Sequence, residues 1–210
     1  MPEATVTPGR RPLASRSSFW ARYLAGALTK AGISPNAISL TSIVFAGAGA
    51  ALLVWEHNAW GLIAGALCIQ LRLLCNLLDG MVAIEGGRQS AVGGLYNEIP
   101  DRIADSLLIV ALGYAIAIPA LGWFGALAAA ITAYIRVLGG SLGLAQDFRG
   151  PMAKPHRMAV LTAACVLGAA EVYVRGSDWA LQAAAWVIAA GSALTCLTRT
   201  LAMARALRRK

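Results

Sequence analysis

Two runs of oxygen-bearing side chains recur at helical spacing in a chain that is otherwise strongly apolar. Asn76 and Asp79 lie three residues apart, with Ala83 four further on, and Asn97, Asp101 and Asp105 follow at intervals of four. Residues three or four apart share one face of a helix, so each run forms a stripe. Ionisable groups are costly to hold in apolar helices and mark chemistry or transport. Converging carboxylates repel one another, and a divalent cation is a natural way to keep them ionised. Mg²⁺ takes carboxylate, amide and water oxygens and bridges to substrate phosphates. Asp79 and Asp101 are the strongest ligand candidates, and Asn76 and Asn97 offer carbonyl oxygens with less charge. Gly80 removes a side chain beside Asp79. A structural reading competes, in which Arg102 pairs with Asp79, Glu98 or Asp105.

A second set of residues is basic. Arg136, Arg149, Lys154 and Arg157 fall toward the same end of the expected helices. Arginine forks match phosphate oxygens, so these residues could hold an anionic substrate. Membrane topology alone also explains them, although Arg136 sits within a helical run, Ala133 to Val137. His156, beside Lys154 and Arg157, reads as a surface group rather than a base.

The elements that must position these groups are membrane helices. Of the 210 residues, 58% are hydrophobic and 13% charged, and the mean hydropathy is +0.64. That is far more apolar than a soluble domain. A span needs about 20 apolar residues, so the length suits six of them. The expected architecture is an all-α integral membrane protein of six transmembrane helices plus an N-terminal amphipathic juxtamembrane helix. Residues 1–16 read as a disordered basic N-terminus, 17–31 as the juxtamembrane helix, 32–204 as the six-helix domain and 205–210 as a basic tail. The spans are expected from Pro35 to about 55, then near 60–84, 93–118, 120–140, 157–174 and 179–199. A short glycine-rich connection, with Gly86, Gly87, Gly93 and Gly94, is expected to make the second and third spans antiparallel neighbours whose stripes face each other. Cys68, Cys75, Cys165 and Cys196 all lie in apolar segments, without zinc or disulfide spacing.

The net charge of +8 does not indicate nucleic acid, because Lys and Arg cluster between apolar runs and at the termini, beside the headgroups of membrane lipids. With the N-terminus in the cytoplasm, every Lys and Arg except Arg175 falls on or near the cytoplasmic side. Both termini and the polar stripes then face the cytoplasm, and a bacterial inner membrane is the expected setting.

These residues resemble the CDP-alcohol phosphotransferase (CDP-alcohol phosphatidyltransferase) family. Its signature runs Asp-x-x-Asp-Gly-x-x-Ala-Arg, then, after eight or nine residues, Gly-x-x-x-Asp-x-x-x-Asp. Asp79-Gly80, Ala83, Gly93 and Asp101 match it, while Asn76 and Asn97 replace aspartates and Ile84 replaces the arginine. Ser34-Pro35-Asn36 and Tyr134-Ile135-Arg136 also look like family features. The resemblance implies a homodimeric phospholipid-biosynthetic transferase. It would move a substituted phosphate group from a CDP-linked lipid, such as CDP-diacylglycerol, to an alcohol or phosphorylated alcohol, releasing CMP. It further implies Mg²⁺ or Mn²⁺ held by Asn76, Asp79, Asn97 and Asp101, with Asp101 as the base that activates the acceptor. Gly80, Ala83 and Gly93 would line the nucleotide site, and Arg136, Arg149, Lys154 and Arg157 would bind the acceptor.

The departures remove two negative charges from the site, and Glu85, Glu98 and Asp105 are the nearby acids that could compensate. Two other readings follow from the same residues. The amides suit a non-catalytic relative that binds CDP or lipid, and intramembrane acids suit a small transporter, though no internal repeat is evident.

Overall fold

A computed structural model of the chain describes residues 18–56, 58–88 and 90–209. The expected N-terminal segment 1–16 lies outside the described residues. Seven helices account for most of the rest: α1 (Phe19–Lys30), α2 (Pro35–Trp55), α3 (Ala59–Ile84), α4 (Gly93–Ala115), α5 (Pro119–Ser141), α6 (Lys154–Arg175) and α7 (Trp179–Leu207). Five of them, α2, α3, α5, α6 and α7, are long and apolar enough to cross a membrane. The sequence reading places the sixth span at α4, whose first turns carry Asn97, Glu98, Asp101, Arg102 and Asp105. α7 continues through Leu207, into the stretch set apart above as a basic tail.

Local chemistry sets several helix starts. Ser34 caps α2, its hydroxyl accepting from the Ala37 amide at 3.2 Å, and Pro35 occupies the first turn, where its missing N–H is no loss. Asn58 caps α3 by accepting from the Gly61 amide at 2.8 Å. Gly176 ends α6 in the left-handed region, at φ 65°. Pro100, inside α4, withdraws the amide that would have bonded the Tyr96 carbonyl, directly before Asp101.

The six long helices close a circuit. α2 packs on α3 and α4, α4 on α5, α5 on α7, α7 on α6, and α6 back on α3. Leu53, Leu62, Ile69, Leu108, Leu112, Leu161, Leu181 and Ile188 fill the middle of this ring. Leu67, Leu127, Leu167, Trp186 and Leu197 point outward and are exposed, as lipid-facing residues are. This arrangement corrects one expectation. α3 and α4 are not lateral neighbours, because α2 packs on both and touches each far more extensively than they touch one another. Their polar stripes meet across the interior of the ring instead. α1 lies against α3 through the buried Ala21 and Ala25 and leaves Phe19 and Tyr23 exposed.

Small residues set the tightest crossing. A Cβ on Gly113 would lie 2.6 Å from the Gly122 Cα, and one on Gly122 would lie 2.9 Å from the Gly113 Cα. Both obstacles are backbone, so α4 and α5 cannot yield by rotating a side chain. Gly122→Leu should therefore destabilise the protein by at least ~1–3 kcal/mol, the usual range for overpacking. A melting curve in detergent checks this, and an unchanged Tm would show that the crossing is looser.

Candidate active site

The polar ends of all six long helices converge. Here the C-terminal halves of α3, α5 and α7 meet the N-terminal turns of α2, α4 and α6. Two cavities open at this end. One, of about 320 Å³, is lined by Ser39, Asp79, Gly80, Ala83, Arg88, Gly93 and Gly94, among others. The second, of about 560 Å³, is lined by Asp101, Arg102, Arg136, Lys154, Arg157 and Arg199, with Trp20, Leu73, Leu74 and Leu77 on an apolar wall. Asn76 and Asn97 line both cavities. The two stripes therefore come together as the sequence implied, with Asp79 on the glycine-lined side and Asp101 on the basic side.

Asp79 is buried, with 4% of its surface exposed. Its Oδ2 accepts a 2.6 Å hydrogen bond from Ser39 on α2, while Oδ1 is buried without a hydrogen-bond partner. A buried carboxylate oxygen left open in this way is costly unless something positive meets it. The Asn76 Nδ2 is likewise buried without a partner. A divalent cation fits this oxygen-rich junction, with Asp79 as its charged ligand and the amide oxygens of Asn76 and Asn97 as neutral ones.

Asp101 stands in a different field. Lys154 Nζ is seated on its Oδ2, Arg102 lies 3.6 Å from the same oxygen, and Arg72 lies 3.4 Å from Oδ1. Arg72 and Arg157 both reach Asp105, at 2.6 Å on Oδ1 and 2.8 Å on Oδ2. All three of these side chains are at least nine-tenths buried, so α3, α4 and α6 are tied by an ionic latch in the interior. Arg157 also donates to the Met152 carbonyl at 2.8 Å.

The compensating acids need correction. Asp105 has both oxygens committed to arginines. Glu98 accepts from Arg136 at 2.6 Å and lies 3.7 Å from Arg102. Glu85 is exposed just past the end of α3 and lines neither cavity. None of the three offers the open oxygen that replacement of a lost aspartate requires. Arg149 also departs from expectation. It is exposed, bonded to Asp147 at 2.9 Å, and absent from both cavity walls. His156 is exposed, as expected.

Arg136 and Lys154 face the basic cavity as expected, and Arg157 lines it while bracing Asp105. Arg136 is held by Gln146 at 2.7 Å and by Glu98, with its guanidinium 5.5 Å from the centre of the Phe148 ring. Arg199 escaped the sequence reading. It is buried near the end of α7, donates to the Thr132 and Arg149 carbonyls, both at 2.8 Å, and forms part of the basic wall. An arginine embedded in the last apolar span was the available signal. Thr195, one turn earlier, accepts from the Met152 amide at 3.0 Å. Together they pin the loop between α5 and α6 to α7.

No protein-family model matches the chain. Individual relatives do. The chain is 30% identical over 216 residues to a phosphatidylinositol phosphate synthase of Streptomyces avermitilis, covering 96% of this chain and 86% of that one. It is 33% identical over 176 residues to an archaetidylinositol phosphate synthase of Aeropyrum pernix, covering 82% and 87%. Among solved structures, the Mycobacterium tuberculosis phosphatidylinositol phosphate synthase with CDP-DAG bound superimposes with a TM-score of 0.72 at 22% identity, covering 89% of this chain and 94% of that one. The same enzyme in complex with manganese and citrate gives 0.72 at 22% identity, over 87% and 88%. At that identity the likeness establishes a shared fold.

Proposed function

Because the chain belongs to the CDP-alcohol phosphatidyltransferase family, we propose that its glycine-lined cavity holds a CDP-linked lipid donor and its basic cavity holds a phosphorylated inositol acceptor. The protein is a phospholipid-biosynthetic transferase that moves a phosphatidyl group from CDP-diacylglycerol to an alcohol and releases CMP. The observation that carries the division of labour is the shared wall. Asn76 and Asn97 border both cavities, so a phosphorus atom bound there is reachable from either side.

Each cavity suits its substrate. Gly80, Ala83, Gly93 and Gly94 leave backbone and small side chains along the donor side, room that a nucleotide needs. Arg136, Lys154 and Arg199 give the acceptor side a positive wall that matches a phosphate group. The apolar stretch of Trp20, Leu73, Leu74 and Leu77 suits the lipid portion. Asp101 faces the acceptor cavity with Lys154 on its Oδ2, a position from which it can take the proton of the attacking hydroxyl. Arg72, bonded to both Asp101 and Asp105, orients that carboxylate. Asp79, with Asn76 and Asn97 on the same cavity wall, would hold Mg²⁺ or Mn²⁺, which would supply Lewis-acid stabilisation of charge on the pyrophosphate and the departing CMP, while Asp101, expected from the family resemblance as a further ligand, carries Lys154 instead.

α4 completes the set of six spans, its charges turned inward: Asp101 and Asp105 are buried, while Leu107 and Tyr114 are exposed. The Lys and Arg distribution supports cytoplasmic termini, a cytoplasmic active site and a bacterial inner membrane. The family resemblance supports a homodimer.

Purified protein supplied with CDP-diacylglycerol and Mn²⁺ should release CMP with inositol phosphate and far less with unphosphorylated inositol. Arg136→Ala should raise KM for the phosphorylated acceptor roughly tenfold or more, as loss of a charge-assisted hydrogen bond of about 1.5–3 kcal/mol implies. Equal use of both inositols, with KM unchanged in Arg136→Ala, would remove the phosphate from the assignment.

A further inference from the structure

We propose that this active site is built for one divalent cation, held at Asp79, with the Lys154 ammonium serving as the counter-charge on Asp101. The inference rests on the transferase reading and concerns how this chain neutralises its own site.

The charges at the junction are unevenly matched. The three acids that α4 brings toward this junction each have a cation of the chain on them: Asp101 has Lys154, Arg102 and Arg72; Asp105 has Arg72 and Arg157; Glu98 has Arg136 and Arg102. Asp79 takes part in no ion pair among the described residues; the Ser39 hydroxyl, on one oxygen, and the Gly80 backbone, both neutral, are what meets it. Its other oxygen is buried, open and on the cavity wall. A bare carboxylate in an apolar bundle needs a counter-charge, and among the described acids that line the two cavities Asp79 is the one without an ion pair.

The amides fit the same scheme. Asn97 lies one helical turn before Asp101, where a second carboxylate would build a second anionic ligand pair. An amide there gives an incoming cation an oxygen without a charge. Lys154 meanwhile covers Asp101 Oδ2, the oxygen such a cation would require. The first turn of α6 carries the ammonium into this position. Ala153 precedes it as the N-cap, and Thr195 and Arg199 fix the loop that leads there. Electrostatic stabilisation by a fixed side chain needs no metal loading and no reorganisation at the moment of reaction.

The test is Mn²⁺ titration of the full chain in detergent with CDP present, free Mn²⁺ being read by electron paramagnetic resonance. Wild type should bind one Mn²⁺ per chain. Asn97→Asp should still bind one, because Lys154 occupies Asp101. Asn97→Asp combined with Lys154→Met should bind two, with a melting curve confirming that the variant is folded. Two Mn²⁺ in wild type or in Asn97→Asp would overturn the proposal, as would one in the double variant. CDP binding without any Mn²⁺ would overturn it as well. Absence of both CDP binding and CMP release from wild type would instead count against the transferase reading.

Discussion

Asp101→Asn will reduce CMP release by roughly 10²–10⁴-fold, the usual contribution of a positioned general base. The substitution keeps the side chain's size and one of its oxygens, so the protein will insert and fold. It removes the carboxylate that faces the acceptor cavity with the ammonium of Lys154 on one oxygen and a long 3.4 Å contact to Arg72 on the other. Asp105 is locked between Arg72 and Arg157, and Glu98 is tied to Arg136 and Arg102. CDP binding should change much less than turnover, since the nucleotide side is lined by Asp79 and the glycines. Turnover measured by CMP release and binding measured by calorimetry separate the two effects. Near-wild-type turnover in Asp101→Asn would mean that the hydroxyl loses its proton to something else.

Asp105→Ala will act on the fold rather than on the reaction first. Asp105 is 3% exposed and is the common partner of two arginines that are themselves 0% and 1% exposed. Removing it strands buried guanidinium groups from two different helices. Breaking a buried pair by deleting one partner typically costs about 3–5 kcal/mol. Here one carboxylate serves two partners, so the upper part of that range is expected. Arg72 would keep its 3.4 Å contact with Asp101, whereas Arg157 would keep only the Met152 carbonyl. The Tm in detergent should fall sharply, with α6 the first helix to detach because Arg157 anchors it. Asp105→Asn should fall less, since an amide oxygen can still accept from one arginine. An unchanged Tm in Asp105→Ala would show that water or lipid headgroups already solvate the latch.

Much of the architecture was legible because lipid imposes a simple rule: long apolar runs must become helices that satisfy their own backbones. The ends of α2, α3 and α5 fall within a residue or so of where the apolar runs begin and stop. The two stripes were legible because a period of three to four places Asn76 with Asp79 and Asn97 with Asp101 on single faces. Partner choice was not legible. Nothing in the spacing says that Arg72, on α3, would reach across the ring to Asp105, or that Arg157 would join it from α6. The sequence raised Arg102 as a partner, and it reaches Glu98 and Asp101, not Asp105. Adjacency was misjudged for a related reason. A short loop brings two helix ends near each other, yet the bulk of α2 decides which faces pack. Ser39 and Arg199 were overlooked because each sits far in sequence from the stripe it serves.

The most direct test of the two-cavity account is an experimental structure with CDP and Mn²⁺ bound, the ion located by its anomalous signal. The account predicts the nucleotide beside Gly80, Ala83 and Gly93, with the ion on Asp79 and the wall of Arg136, Lys154 and Arg199 left free for the acceptor. A nucleotide lying against Arg136 and Arg199, with the ion away from Asp79, would contradict it.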